Sequence, residues 1–368
     1  MDPRSRPLTS LGSLLPRAIA KRRALLDKGN AGAVRLFSGE ADGMDGVFID
    51  AYNGSVSIGG VLIVYEGRVP RGFDADAEAQ VVLDKLKPLG VRAIYVKHFA
   101  KDRSKLGGEL PPEVADPRPA AGDLLPEALL INEHQWTLEV RLYDGLSTGL
   151  FLDQRDNRAW VASWVADRKK ATPGGPHLRG GSSETTSVLN TFAYTCAFSV
   201  AAGTAGALTT SVDVSPRYLD WGKRNFAHSG MQAGVDSGQH RFARMDTFEF
   251  FAYAARKGLT YDLIILDPPS FSAGSKKKGI KPWSSVEDYA RLVGEAARLL
   301  RPKSQGGGAI FASTNTRELC RPGRLEREVA IGLEAAGIRG NPKWINLPPA
   351  TADFAGDQDR FAAVAFSL

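Results

Sequence analysis

From about residue 141 onward the chain alternates short runs of β-branched and aliphatic residues with longer amphipathic stretches, and few folds accommodate that rhythm. Two parallel neighbouring strands need a crossover of a dozen or more residues between them, which a helix supplies. Strands are expected at 187–190, 208–213, 240–243, 261–267 and 308–313, with helices at 154–166, 199–205, 216–228, 247–257, 285–300 and 322–336. The pattern predicts an open, doubly wound α/β sheet. Residues 167–184 are polar, glycine-rich and basic, and read as an inserted surface loop.

The preceding residues follow a different rhythm. Short β-branched runs at 33–37, 46–50 and 55–58 are separated by Gly, Asn and Asp turns, followed by a helical stretch at 75–89 and a strand at 93–97. Residues 31–140 therefore read as a smaller α+β domain, with a proline- and acid-rich loop at 111–126. The first 30 residues form a basic arm (Arg4, Arg6, Arg17, Lys21, Arg22, Arg23) running into a helix at 15–28. The arm lacks the apolar stretch of a secretory signal, and Asp2 and Asp27 count against an organellar one.

A length of 368 residues suits more than one core. With 43% hydrophobic and 24% charged residues the composition is that of a globular protein, and no run approaches the ~20 apolar residues of a membrane helix. A net charge of +6 is compatible with an RNA-binding surface and equally with solubility alone. Cys196 and Cys320 cannot by themselves make a disulfide framework or a zinc site. No metal is therefore expected, and a reducing compartment is: the cytoplasm, with mitochondrion or plastid as the alternative.

In an open α/β sheet ligands lie beyond the carboxyl ends of the strands, so acids there come first. Asp213 ends the second expected strand and could accept both hydroxyl hydrogens of a ribose; Ser215, followed by Pro216, makes the better cap for the next helix. Asp246 follows the third strand, where it could take an adenine amino group or cap the helix beginning at Thr247. Asp267 ends the apolar run Leu263-Ile264-Ile265-Leu266, the expected central strand.

Pro268 and Pro269 follow immediately, removing two backbone donors and fixing two φ angles. Their carbonyls are expected to stay unpaired and face a substrate, while Phe271 offers a ring on which a base can stack, worth ~1–3 kcal/mol. A flipped base would fit between Asp267, the prolyl carbonyls and Phe271. The first strand-to-helix turn, residues 190–198, has no G-x-G-x-x-G, which argues against a nicotinamide dehydrogenase but not against a cofactor without a pyrophosphate.

Four segments, 148–155 (TGLFLDQR), 190–195 (NTFAYT), 211–215 (SVDVS) and 267–271 (DPPSF), occur in the order found in bacterial 23S rRNA methyltransferases. The sequence resembles that group, whose members modify cytosine C5 or guanine N7, closely over 141–368 and more loosely over 35–43. The resemblance implies a Rossmann-like class I methyltransferase domain with a smaller N-terminal α+β accessory domain, divided as 1–30, 31–140 and 141–368. It implies S-adenosylmethionine as cofactor and ribosomal RNA as partner. It assigns Gln154, Arg155, Asn190, Phe192, Tyr194, Thr195, Asp213, Asp246 and Asp267 to the cofactor.

The cytosine-C5 members carry a nucleophilic cysteine after the strand that here reads 309–313, because C5 needs a thiolate added at C6. This chain has Ser313-Thr314-Asn315-Thr316, and is closer to the guanine-N7 branch, where a ring lone pair attacks the methyl group directly. The chemistry is then alignment, with Asp267, Pro268, Pro269 and Phe271 as its residues. Lys276, Lys277, Lys278 and Lys281 directly follow that segment and could grip phosphates, or be a solvated charge run. The same fold acting on an exocyclic amine, on cytosine C5 or on a protein side chain is the alternative, followed by a silent RNA-binding relative.

Overall fold

The computed structural model describes residues 10–27, 32–99, 116–170, 185–272, 274, 282–354, 356 and 360–368. The chain divides into two compact units, Met1–Arg155 with Ala350–Asp357, and Asp156–Pro349 with Gln358–Leu368. The division falls after Arg155 rather than near 141, and a late segment returns to the first unit. That return rests on long-range bonds no local pattern encodes: Asp353 Oδ2 pairs with Arg155 at 3.0 Å and accepts the Arg35 backbone N–H at 3.1 Å.

The first unit opens with α1 (Leu11–Lys21) and α2 (Arg23–Asp27), two helices where one was expected. Strands β1 (Ala33–Ser38), β2 (Val47–Asn53), β3 (Ile58–Tyr65), β4 (Val91–Phe99) and β5 (Ala121–Gly122) form one sheet in that order, with α3 (Ala75–Leu86) crossing between β3 and β4. A hairpin of β6 (Leu129–Glu133) and β7 (Trp136–Val140) follows. The third strand begins where the sequence suggested it would end: Gly54 N–H bonds Ser57 O at 3.1 Å, making 54–57 a turn. Gly59 and Gly60 disguise the strand, and a side chain at either would make its apolar neighbours shift. A Cβ on Gly59 would lie 2.8 Å from Leu125 Cδ1, and one on Gly60 would lie 2.6 Å from Ile94 Cδ1.

The second unit begins with the rest of α4 (Arg155–Lys170), which extends four residues past its expected end into the stretch read as loop. It continues as β8 (Ser187–Thr191), α5 (Ala197–Thr204), β9 (Leu208–Asp213), α6 (Pro216–His228), α7 (Gln232–Asp236), β10 (His240–Arg244), α8 (Thr247–Arg256) and β11 (Leu263–Leu266). The short pair β12 (Phe271–Ser272) and β13 (Trp283–Ser284) precedes α9 (Ser285–Ala297), β14 (Ala309–Thr314), α10 (Arg324–Ala335), β15 (Lys343–Ile345) and β16 (Ala362–Ser367). The sheet order is β10-β9-β8-β11-β14-β16-β15. Its first five strands are parallel; β15 and β16, which the sequence reading lacked, add an antiparallel edge.

β11 is central, between β8 and β14. Its alternate side chains serve opposite faces: Ile264 and Leu266 join one apolar cluster, Leu263 and Ile265 the other. All four are fully buried, each worth ~1.5–3 kcal/mol. Below the strand, Asp262 anchors the base of the sheet. Arg168 and Arg301 each approach its Oδ1 to 2.7 Å, and Ser187 N–H bonds Oδ2 at 2.9 Å. Burial works to raise this carboxyl, but the Ser187 N–H and the two guanidiniums outweigh it and hold the group below the usual carboxylate range. The opposite, C-terminal end of β11 is left for chemistry.

Candidate active site

The turn between β8 and α5 carries positive φ at three non-glycine residues: Phe192 (51°), Tyr194 (50°) and Cys196 (63°). A left-handed backbone costs a residue with a side chain ~1–2 kcal/mol, so three in one turn persist only where the surroundings hold them. Asp213, at the end of β9, does the holding: Oδ2 accepts the Tyr194 N–H at 2.9 Å and Oδ1 the Ser215 N–H at 2.8 Å. An ionised carboxylate has about four lone-pair sites, so capacity remains for hydroxyl donors. Burial raises the Asp213 carboxyl, against the two backbone donors, which lower it. Ser215 caps α6 through Tyr218 N–H at 3.3 Å, with Pro216 at the first helical position.

The turn takes up left-handed backbone without a glycine at those three positions. The missing G-x-G-x-x-G therefore did not mean an ordinary turn, and no residue type in it announces the conformation.

Asn190 is 2% exposed and donates to Ser199 Oγ at 2.9 Å, and Ser211 Oγ donates to the same atom at 2.8 Å. Thr195 is buried as well, and its carbonyl accepts from Asn225 Nδ2 at 2.9 Å. Both positions expected at the cofactor thus support the turn from beneath. Phe192 lies beside Trp283 (ring centroids 5.4 Å apart), and Tyr194 meets Tyr218 edge-on at 4.5 Å. Asp246 caps α8, its Oδ1 accepting Phe248 N–H at 2.9 Å and Glu249 N–H at 3.3 Å. Gln154 and Arg155 belong to the first unit and are buried there. Besides its pair with Asp353, Arg155 donates to Ala33 O at 2.6 Å, a structural engagement the sequence did not reveal.

At the end of β11, Asp267 Oδ1 accepts the Ser313 hydroxyl at 2.8 Å, across to β14. The turn that follows corrects one expectation. The Pro269 carbonyl is not unpaired: it accepts Trp283 Nε1 at 2.6 Å and Ser285 Oγ at 2.9 Å. The Ser270 carbonyl takes Ser285 N–H at 3.0 Å, and Ser270 Oγ donates to Asn315 Oδ1 at 2.6 Å. These bonds pin the proline turn to the start of α9 and to the segment after β14. Phe271 is 66% exposed, its strand paired with Ser284. Lys276, Lys277, Lys278 and Lys281 lie outside the described residues.

Neither cysteine resembles a nucleophile. Cys196 is fully buried and burial pushes its thiol up to about 12. Cys320 is buried, with Sγ 3.6 Å from Thr314 O. Sequence reasoning missed Ser313, Tyr289 and Trp283 as parts of the site. The first two carry no local signal, because what they do depends on which strands are neighbours.

Residues 175–339 match the family model of S-adenosylmethionine-dependent methyltransferases. YwbD of Bacillus subtilis, named as a candidate ribosomal RNA large subunit methyltransferase, is 34% identical over 83% of this chain. Ribosomal RNA large subunit methyltransferase K/L of Hahella chejuensis is 32% identical over 77% of it, and methyltransferase K of Neisseria meningitidis 32% over 55%. The chain spans 66%, 34% and 49% of those three proteins, less than two thirds of each. Among solved structures it is similar to SMU.776, a candidate methyltransferase complexed with SAH. The TM-score is 0.73 and the identity 27%, over 97% of this chain and 80% of that one.

Proposed function

We propose that the chain methylates a base of ribosomal RNA: residues 175–339 match the S-adenosylmethionine-dependent methyltransferase model, and the second unit has the class I Rossmann-like fold. Guanine N7 is the acceptor that the site supports best. The observation that carries this reading is the Asp267 carboxylate at the end of β11, held at 2.8 Å by the Ser313 hydroxyl, with the exposed Phe271 four residues further along the chain.

The residues present fit the cofactor. The spare acceptor sites of Asp213 suit ribose hydroxyls, and the strained turn at 192–196 exposes no cluster of glycine amides of the kind a pyrophosphate requires. The second oxygen of Asp246 is available to an adenine amino group while Oδ1 caps α8. Bound there, S-adenosylmethionine supplies an electrophilic methyl group on sulfur.

The protein's own work is to position the acceptor. A carboxylate has two oxygens, so Asp267 suits an edge with two adjacent donors. Guanine alone among the four standard bases has one, N1–H beside the N2 amino group. Phe271 can stack on the base face for ~1–3 kcal/mol. A ring lone pair at N7 needs no proton removed before it can accept a methyl group, so these residues would have only to hold N7 in line with the bound cofactor. Asp267 acts as an acceptor that aligns the base.

A buried Cys196 thiol pushed up to about 12, and a serine at the end of β14, count against covalent attack on cytosine. Support for RNA comes from the names of the relatives, all of them ribosomal RNA large subunit methyltransferases.

The test is to incubate the protein with methyl-labelled S-adenosylmethionine and ribosomal RNA lacking the modification, then digest to nucleosides. 7-Methylguanosine is expected. N2-methylguanosine would move the acceptor to the exocyclic amine, and 5-methylcytidine would overturn the non-covalent mechanism.

A further inference from the structure

Behind Asp267 lie two buried hydroxyl groups, one donating to its carboxylate and the other to the backbone of the first. Tyr289 of α9 is fully buried and donates its hydroxyl to the Ser313 carbonyl at 2.8 Å. Ser313, also fully buried, donates its own hydroxyl to Asp267 Oδ1 at 2.8 Å. Burial first, then the charges of Asp267 and Cys320, push the Tyr289 phenol well above its ordinary range, so it remains a donor at any working pH.

The turn makes such support matter. Pro268 and Pro269 have no N–H, so the two residues directly after Asp267 offer its carboxylate no backbone donor, whereas Ser215, two after Asp213, does. An aspartate's terminal torsion is broad, so each hydrogen bond to the carboxylate narrows the planes it samples. Ser313 reaches across from β14, and its carbonyl is seated by Tyr289 from a third element.

We propose that Ser313, held by Tyr289, is the positioning residue that sets the plane of the Asp267 carboxylate and thereby selects an acceptor base presenting hydrogen-bond donors. This rests on the reading of Asp267 as the group that holds the acceptor. A serine hydroxyl donating to one oxygen favours the ionised carboxylate, keeping Asp267 acceptor-only. Bases whose facing edge offers an acceptor first would meet repulsion there. Ser313 and Tyr289 touch neither base nor methyl group, so their influence passes through Asp267.

The test uses the full chain with Ser313→Ala, Ser313→Thr and Tyr289→Phe, read three ways: turnover on ribosomal RNA, calorimetry with S-adenosylhomocysteine, and carbon-13 NMR titration of the Asp267 carboxyl. Ser313→Ala is expected to lower kcat about 10- to 100-fold and to raise the carboxyl pKa by about 0.5–1 unit, with cofactor affinity within about twofold. Ser313→Thr should recover most of both losses. Tyr289→Phe should move both readouts in the same direction but less. An unshifted carboxyl in Ser313→Ala overturns the proposal, as does cofactor affinity falling in step with turnover, which would mark a merely structural residue. The titration needs no substrate: if the wild-type protein transfers no methyl group to RNA, the functional reading fails while the NMR shift still decides the role of Ser313.

Discussion

Tyr194, with φ at +50°, gives its backbone N–H to Asp213 Oδ2 at 2.9 Å, so the carboxylate at the end of β9 props a strained turn. The ribose contact proposed for Asp213 would use the same carboxylate, and replacing it tests both.

Asp213→Ala removes two acceptors of backbone N–H groups together with those expected to serve the ribose. Hydrogen bonds to a charged group contribute ~1.5–3 kcal/mol each, so S-adenosylhomocysteine should bind about 10- to 100-fold more weakly by calorimetry. Asp213→Asn should fall between the two. Undiminished affinity in Asp213→Ala would place the cofactor elsewhere.

Asp267→Ala should separate turnover from binding. Methyl transfer is expected to drop more than about 100-fold while cofactor affinity stays within about threefold. Wild-type turnover in this variant would mean that the reaction centre is not at the end of β11.

Gly222 of α6 sits against Cys196: a Cβ built there would lie 2.4 Å from the cysteine Sγ and 2.9 Å from its Cβ. Gly222→Ala should therefore cost ~1–3 kcal/mol, read as a lower Tm. Cys196→Gly removes both clashing atoms and suits a φ of +63°, so adding it to Gly222→Ala should restore most of the loss. Additive effects in that double-mutant cycle would show that the two residues do not touch.

In the first unit, Lys97 is buried with its Nζ bonded to the Gly145 carbonyl. Burial lowers its pKa to about 8, against the nearby Asp144, which raises it. With an ordinary value of 10.5 when unfolded, the unfolded chain binds more protons between about pH 8 and 10.5. This group's contribution to stability should therefore rise with pH across that window and be least favourable below it. Lys97→Met should flatten that rise and raise stability at pH 7, by at most ~3 kcal/mol. Denaturant titrations at pH 7 and pH 10 check both statements; a steeper pH dependence in the variant would contradict them.

Much of the second unit was legible because its signals are local. The residue patterns of β8, β9, β10, β11 and β14 placed those strands to within two or three residues, and Ser215-Pro216 marked the start of α6. β3 escaped because its two glycines imitate a turn, and β16 because an antiparallel edge strand looks the same as any other short apolar run. At the candidate site, the strand-end placement of Asp213 and Asp267 was legible because it follows from the strand itself. Asn190 and Thr195 lie buried beneath the turn, since facing inward or outward there depends on backbone angles that no residue type announced.

The sequence by itself determined a doubly wound sheet with carboxylates at strand ends and a proline turn after Asp267, all of which follow from periodicity over a dozen residues. Tertiary structure alone decided what those groups do. Pro269 spends its carbonyl on Trp283 and Ser285, Asp267 takes Ser313 from 46 residues away, and Arg155 meets Asp353 from 198 away. Such partners are chosen by which strands and segments become neighbours, a non-local outcome that hydrophobic burial settles and a local pattern cannot record.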